Sequence, residues 1–410
     1  VSVSALVLVL NCGSSSIKFA LFDSATVPRV RVPFWSGEVV EITGPKPRLL
    51  APPDEPLDLV LAGERPYHAA LAALLERLER RTVEHHLLAV AHRVVHGGTK
   101  YFDPVLVNAH VLADLRSYIP LAPLHQPFAL DAIELLFTAR PGLAQVACFD
   151  TGFHRTMPDV EKMLPLPYSA WQRGLRRYGF HGLSYEFMSV VLPEHYPARA
   201  RGRTLVAHLG SGASLCAMRD LESLATTMGF SVLDGVMMGT RSGALDPGAL
   251  LYLMEQDHLS PAAASALLYH ESGLLGVSGV SSDPRALLAA GDNNPRINAA
   301  LALYVRRIVR EVGALVAVLG GLDLLVFTAG IGEHNPEIRR RVCAELGFLG
   351  VALDAAANAA NAAVISSAAS GPTVVVEPTN EEWIAARAVP ALCALSGSAR
   401  AAGTDRDTHA

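Results

Sequence analysis

Two stretches of this chain repeat one design. Residues 6–22 read LVLVLNCGSSSIKFALF and residues 203–218 read RTLVAHLGSGASLCAM. Each holds an apolar run too short for a helix, a turn of Gly, Ser and one other polar residue, and a second apolar run. That is strand, polar turn, strand. Two such hairpins so far apart predict a duplicated domain with a cleft between the halves. The echo alone leaves convergent hairpin chemistry as the alternative.

A chain of 410 residues has room for two or three domains. Half its residues are hydrophobic and 18% are charged, the balance of a packed chain and not of a disordered one. Lys plus Arg is 34 and Asp plus Glu is 39, net −5, whereas a sequence-independent nucleic-acid binder carries a basic excess, so no nucleic-acid partner is expected. Cys12, Cys148, Cys216, Cys343 and Cys393 are scattered without a Cys-x-x-Cys pair. That argues against a disulfide framework or structural zinc and suits a reducing compartment. Residues 5–10 lead to Cys12 like a lipoprotein signal, but they are too short, follow no basic stretch and place Asn11 where a small residue is needed. Residues 312–332 approach the length of a membrane span, yet Asp323 and the Gly320-Gly321 break make them a helix end followed by a buried strand. A soluble, cytoplasmic protein without membrane contact is the expectation.

Short apolar runs alternating with helical stretches predict an α/β fold. Residues 25–66 are Pro-rich and weakly patterned, an irregular hairpin region. Residues 67–81 form an amphipathic helix with leucines at 71, 74, 75 and 78, and strands are expected at 89–95 and 144–149. Residues 295–319 are helical, with Asn294 as N-cap, Pro295 at the first position and Gly320 as stop. A buried strand at 324–328 ends in residues 329–332, another helix covers 336–346, and the small polar residues from 396 on are expected to be a disordered tail.

Phosphate binds where backbone N–H groups point into a concave turn lined by small residues. Residues 11–18 (NCGSSSIK) supply a Gly, three hydroxyls and a lysine after a strand, without the spacing of a Walker A loop. Residues 208–214 (HLGSGAS) are a second cradle, and Gly330-Ile331-Gly332-Glu333-His334, between strand and helix, are a third. Together they point to a nucleotide. Arg93, at a strand end before Gly97-Gly98, and Arg241, in a Gly-flanked loop, are fork-shaped donors for carboxylate or phosphate. Asp150 closes an apolar strand, where α/β folds place active residues, and His181 sits among glycines as if something must approach it.

With these residues in view, the chain resembles the acetate kinases, the acetokinase family of the superfamily that includes sugar kinases, heat-shock chaperone ATPases and actin. The resemblance runs from about residue 7 to about residue 387. It is carried by NCGSSSIK (11–18), HRVVHGG (92–98), FDTGFH (149–154), RRYGFHG (176–182), HLGSGAS (208–214), MGTRSG (238–243), SSDPR (281–285), FTAGIGE (327–333) and PTNEE (378–382). It implies two actin-like, ribonuclease H-like domains with an interdomain nucleotide cleft. One spans 1–152 plus a returning helix at 384–397; the other, for nucleotide binding and dimerisation, spans 153–383, leaving 398–410 as the tail.

The resemblance implies residue roles as well. Asn11 and Glu381 hold Mg²⁺, with Mn²⁺ as the alternative metal, and Lys18, Ser14 and Ser16 face the phosphates of ATP or ADP. His208, Leu209, Gly210, Ser211 and Gly212 bind nucleotide with Gly330, Ile331, Gly332, Glu333 and His334, while Asp283, Pro284 and Arg285 lie against the adenosine. Arg93 and Arg241 grip the acyl carboxylate and the phosphoryl group, His181 stabilises that group's charge, and Asp150 is the catalytic carboxylate. Val95, Leu124, Phe180 and Val232 line the acyl pocket. The chain departs from the family pattern at Ser211 and His334, each in place of Asn, at Ala244 in place of Asp, and at Val232 in place of Pro.

The expected reaction is reversible, Mg²⁺-dependent phosphoryl transfer from ATP to acetate, by a homodimer. Acetate is already an anion, so Asp150 is expected to orient an arginine or help hold the metal instead of acting as a base. A propionate-preferring acyl kinase is the nearest alternative, since one methylene in an apolar pocket is worth only ~1–3 kcal/mol. A carbohydrate kinase and a nucleotide-driven binding protein of the same superfamily are further ones.

Overall fold

In this computed structural model the described residues are 5–61, 65–82, 85–291 and 293–404. The chain divides into two compact units, one of Val1–Gly152 with Asn380–Ala410, the other of Phe153–Thr379.

The first unit is built on an eight-stranded sheet. Its strands are β1 (Ala5–Cys12), β2 (Ile17–Asp23), β3 (Trp35–Val40), β4 (Arg48–Leu50), β5 (Leu57–Asp58), β6 (His86–Val94), β7 (Val105–Leu106) and β8 (Ala144–Phe149), in the order β5-β4-β3-β2-β1-β6-β8-β7. β1 pairs antiparallel with β2 across the Gly-Ser turn and parallel with β6, which pairs parallel with β8. As a central strand β1 is covered on both faces, hence its unbroken apolar run. Leu6, Leu8 and Leu10 meet Leu71, Leu74 and Leu78 of the helix Pro66–Arg81 in one core. The Pro-rich stretch after β2 carries β3, β4 and β5, which extend the antiparallel side of the sheet.

The second unit has a five-stranded sheet of β9 (Thr204–Leu209), β10 (Ala213–Arg219), β11 (Glu222–Thr226), β12 (Leu324–Thr328) and β13 (Thr373–Val376), in the order β11-β10-β9-β12-β13. β9 pairs antiparallel with β10 and parallel with β12, which pairs parallel with β13. The β3-β2-β1-β6-β8 core of the first unit has this same order and these same directions. The two units are one fold used twice, of the α/β, actin-like ATPase type.

The helix Pro295–Leu319 packs its apolar stripe inward, with residues 297, 300, 301, 304, 305, 308, 309 and 312 buried. Asn294 caps it, accepting from the N–H groups of Arg296 and Ile297, and it stops at Gly320. Residues 329–332 are not simply a strand exit; they belong to a short helix, Ala329–His334, entered through the left-handed φ of 64° at Ala329.

The chain returns to the first unit through the helix Glu381–Thr404, which packs on β1 and β6. The indole N–H of Trp383 donates to the Val27 carbonyl and Asn380 Nδ2 to that of Arg31 at 2.8 Å. This helix corrects the expected tail. It runs on to Thr404, past Ser396, Gly397 and Ser398 and through Ala and Arg at residues 399–402, which are strong helix formers. The rest of the tail expected from 398, residues 405–410, lies outside the described residues. No described helix is long and apolar enough to cross a membrane.

Candidate active site

The pleat of the first sheet decides which side chains meet. Leu10 lies beside His92, and His92 beside Ala147, while Arg93 lies beside Cys148. Successive side chains alternate, so Leu10, His92 and Ala147 share one face, and Asn11, Arg93 and Cys148 the other. Ala147 packs with Leu112, Leu115, Leu130 and Ile133 of the helices Ala109–Ser117 and Gln126–Ala139. Cys148 Sγ instead reaches the Ala385 carbonyl of the C-terminal helix, at 3.9 Å. Asn11, Arg93 and Asp150 therefore converge at the carboxyl ends of β1, β6 and β8 on the face that this helix covers, and its first residue is Glu381.

Arg93 is the hub of this group. Its Nε donates to Asp150 Oδ1 at 2.9 Å and its Nη2 to Oδ2 at 2.5 Å, a two-pronged pair. Its Nη1 donates to Asn11 Oδ1 at 3.1 Å, and Glu381 Oε2 lies 3.7 Å from Nε. Asp150 is only 1% exposed. Burial pushes the Glu381 carboxyl up to about 7; Arg93 opposes this, Asp150 and Glu382 reinforce it, and Lys18 opposes it. Lys18 sits exposed across from Asn11 in the β1–β2 register. Ser14 is exposed, Ser16 half-buried, Val95 buried and Leu124 on the surface.

In the second unit His181 precedes the helix Gly182–His195 with a left-handed φ of 57°. Its Nδ1 lies 2.8 Å from Ser214 Oγ, which lies 2.6 Å from the Tyr185 hydroxyl. His208 stacks on His181 with centroids 4.1 Å apart, and its own Nδ1 lies 2.9 Å from Ser184 Oγ. A methyl group added at Gly212 would sit 3.2 Å from His181 Nε2 and 3.5 Å from Arg241 Nη1, so this glycine keeps clear the space that both groups border. The Arg241 guanidinium donates to the Val232 carbonyl at 3.3 Å. Arg177 in turn holds the carbonyls of Thr226, Thr227 and Met228 at 3.1, 2.8 and 3.0 Å, anchoring the loop that carries Val232.

The glycine before His181 has a different purpose from the one its sequence setting implied. A side chain at Gly179, where φ is +75°, would meet His154 Cδ2 at 2.5 Å, so Gly179 makes room for a neighbouring histidine and not for a ligand. His154 Nε2 bonds the Phe180 carbonyl at 2.9 Å and thereby holds the turn into His181. Phe180 is 1% exposed, and Leu209 is wholly buried. Gly210 N–H closes on the Gly212 carbonyl at 3.0 Å around the exposed Ser211. Asp283 caps the helix Pro284–Ala289 and pairs with Arg285 at 2.8 Å. In the 330–334 loop, Glu333 Oε1 accepts from the Thr379 N–H at 3.3 Å while His334 is exposed. Ser214, Tyr185 and Ser184 have no distinctive spacing; only the fold reveals their bonds to the two histidines.

Three buried histidines set a pH response. Burial pulls His92, His96 and His154 down to about 4 from an ordinary 6.5. Between those values the unfolded chain binds protons that the native chain refuses, so their stabilisation is intact above 6.5 and lost as pH falls towards 4. Glu381, protonated in the fold up to about 7, offsets one of the three protons. Unfolding free energy in metal-free buffer should therefore fall by about 3 kcal/mol per pH unit through this window. Urea midpoints that stay flat across it would show that the histidines titrate normally.

The acetokinase family model matches residues 6–387. An acetate kinase of Rhodopseudomonas palustris (strain TIE-1) is 48% identical over 392 residues, covering 94% of this chain and 98% of its own length. One from Methylocella silvestris is 45% identical over 399 residues, 95% and 98% of the two chains. Among solved structures, Porphyromonas gingivalis acetate kinase superposes with a TM-score of 0.84 at 37% identity, covering 95% of this chain and 100% of that one. A propionate kinase from Francisella tularensis does so with 0.86 at 34% identity, covering 94% and 98%. The two-pronged Arg93–Asp150 pair and the His181–Arg241 space thus sit in a chain alike along almost its whole length to kinases of small carboxylic acids, and the chain belongs to the acetokinase family.

Proposed function

We propose that this protein transfers the γ-phosphoryl group of ATP to acetate, reversibly. A carboxylate oxygen forms a bond to phosphorus as the bond from phosphorus to the β,γ-bridging oxygen breaks, giving acetyl phosphate and ADP. Acetate enters as an anion, so no proton has to leave the nucleophile. The observation that carries the reading is Arg93, a cation at the carboxyl end of a central strand, whose fork is aimed by a carboxylate that spends both oxygens on it. Asp150 is thus an orienter of Arg93 and not a base. A loose transition state needs placed positive charge more than a strong base. Arg93, Arg241 and Lys18 would supply that charge, and the His181 N–H a further donor.

The residues present fit a divalent cation. Asp150, Glu381 and Glu382 gather around Arg93 and Lys18, and the Glu381 carboxyl is raised by its burial first, with Asp150 and Glu382 adding to the rise, so a cation beside it would offset both. Asn11 and Glu381 would hold Mg²⁺, directly or through water, with Mn²⁺ as the alternative. When bound, it neutralises charge on the phosphates. The 208–212 turn and the 330–334 loop take the nucleotide, Ser14 and Ser16 its phosphates, and Asp283–Arg285 its adenosine. Val95, Leu124, Phe180 and Val232 receive the acyl methyl.

The test is acyl phosphate formation, trapped with hydroxylamine, from ATP and Mg²⁺ with acetate, propionate or butyrate. Acetate should give the highest kcat/KM. Equal or better turnover of propionate would move the substrate name, as the similarity to a propionate kinase and the departure at Val232 allow. ATP binding without product from any acid would overturn the reading.

We also infer a homodimer. The helix Pro247–Gln256 buries none of its residues and Pro261–His270 only Ala264, although both are largely apolar. Leu251 and Tyr252 are 59% and 64% exposed, on a surface suited to a second copy of the chain. Sedimentation velocity should give twice the chain mass, and the double variant Leu251→Glu, Tyr252→Glu the single mass. A wild-type monomer would refute the inference.

A further inference from the structure

We propose that Ser214, backed by Tyr185, and Ser184 are positioning residues that fix His181 and His208 as neutral Nε2–H donors. The proposal rests on the reading that His181 faces the transferring phosphoryl group, and it adds the groups that set what this histidine presents.

Tyr185, Ser214 and Ser184 are completely buried, so water does not compete for their hydroxyls. A phenol is a better donor than an aliphatic alcohol, so across the 2.6 Å contact the Tyr185 hydroxyl donates to Ser214 Oγ. The Ser214 proton is thereby directed to His181 Nδ1, 2.8 Å away, and a nitrogen that accepts cannot carry the ring proton. That proton stands on Nε2. Each link polarises the next, which strengthens the chain. Ser184 Oγ lies 2.9 Å from His208 Nδ1, and the proposal extends to it the same direction, hydroxyl to nitrogen.

The two rings are stacked 17° from parallel, with centroids 4.1 Å apart. Two imidazoliums at that distance would repel each other by several kcal/mol at an effective dielectric of about 20, so the stack excludes a doubly charged pair and leaves the hydroxyl donors to Nδ1 to favour the neutral form. Both Nε2 atoms border the glycine turn: a methyl group at Gly212 would lie 3.2 Å from that of His181, and one at Gly210 3.9 Å from that of His208. The turn and the two rings make one cradle of N–H donors. Neutral donors add little to the attraction of ground-state ATP and act as charge develops in the transition state, so their loss should appear in kcat.

The decisive measurement is ¹⁵N NMR of the full chain labelled at histidine. Both rings of the wild type should show the Nε2–H tautomer. Ser214→Ala should leave His181 a tautomer mixture with His208 unchanged, Ser184→Ala should do the converse, and Ser214→Thr should restore the wild-type pattern. In the trapping assay Ser214→Ala should lose kcat on the order of tenfold with nearly unchanged KM for ATP and acetate, as second-sphere partners of functional histidines do. Should Ser214→Ala not fold, Tyr185→Phe keeps the ring packing against His154 and reports through the same spectrum. An Nδ1–H ring at His181 in the wild type, or an unchanged tautomer in the variants, would overturn the proposal. If instead His181→Ala kept its kcat while the wild-type tautomer was as expected, the relay would stand and the phosphoryl-facing role would fall.

Discussion

Arg93→Ala should lower kcat by on the order of 10³-fold, the scale of arginines that meet a transferring phosphoryl group. It should also destabilise the first unit by about 3–5 kcal/mol, because Asp150 and Glu381 are left buried beside each other without their cation. The two effects separate in Arg93→Lys. Lysine restores a charge, so most of the stability should return. Its single ammonium cannot reproduce the fork that grips both oxygens of Asp150 while touching Asn11, so kcat should stay at least a hundredfold down. Trapping kinetics and urea unfolding on the two variants test this directly. An alanine variant within tenfold of wild type would remove Arg93 from the chemistry, and a lysine variant as unstable as alanine would show that geometry and not charge holds the carboxylates.

The duplicated hairpin, the strands 144–149 and 324–328 and the helix 295–319 were legible because each carries its own local signal. Parallel strands covered on both faces are nearly continuous apolar runs, broken in 144–149 only by Gln145, which is bonded to His92, and the long helix has both of its ends marked. The residue types of the site were legible too, since Asn11, Arg93 and Asp150 each close a strand-like run. Their meeting was not. It depends on which face each occupies, and a slip of one residue in register would send Arg93 to the side of His92. At His181 one of the two flanking glycines, Gly179, looked like room for a ligand but is space for His154, a long-range contact without a local trace. The C-terminal helix outran its expected end because small residues that look like tail composition are also good helix formers.

Arg339 is the clearest case of information held only in the fold, and it carries the other large expected effect. It opens a run of three arginines that the sequence does not distinguish. Turned by roughly 100° per residue on the helix Pro336–Ala344, they meet different fates. Arg340 and Arg341 pair with Glu337 at 2.7 Å near the surface, whereas Arg339 is completely buried. Its Nε donates to Asn358 Oδ1 at 2.8 Å, its Nη1 to the carbonyls of Gly332 and Glu333 at 2.8 and 2.9 Å, and its Nη2 to Asn358 O and Asn361 Oδ1 at 2.8 and 2.6 Å. Every acceptor is neutral. The cation is held by dipoles, two of them carbonyls in the short helix Ala329–His334 that carries the 330–334 loop. Arg339→Ala strands the acceptors of Gly332, Glu333 and Asn358, while exposed Asn361 turns to water, and it opens a cavity; since a buried unsatisfied group costs about 1–3 kcal/mol, a loss on the order of 5 kcal/mol is expected. That is a large part of the 5–15 kcal/mol typical of a whole domain, so the second unit should unfold far earlier in urea. Arg339→Met restores volume but none of the bonds and should recover only the cavity share. Arg340→Ala, which breaks a surface pair, should cost less than about 1 kcal/mol. In whatever fraction of Arg339→Met stays folded, the freed loop should raise the KM for ATP before it lowers kcat. Equal urea midpoints for Arg339→Ala and Arg340→Ala would mean that the buried bonds are replaced by water at no cost, and that the loop does not depend on this arginine.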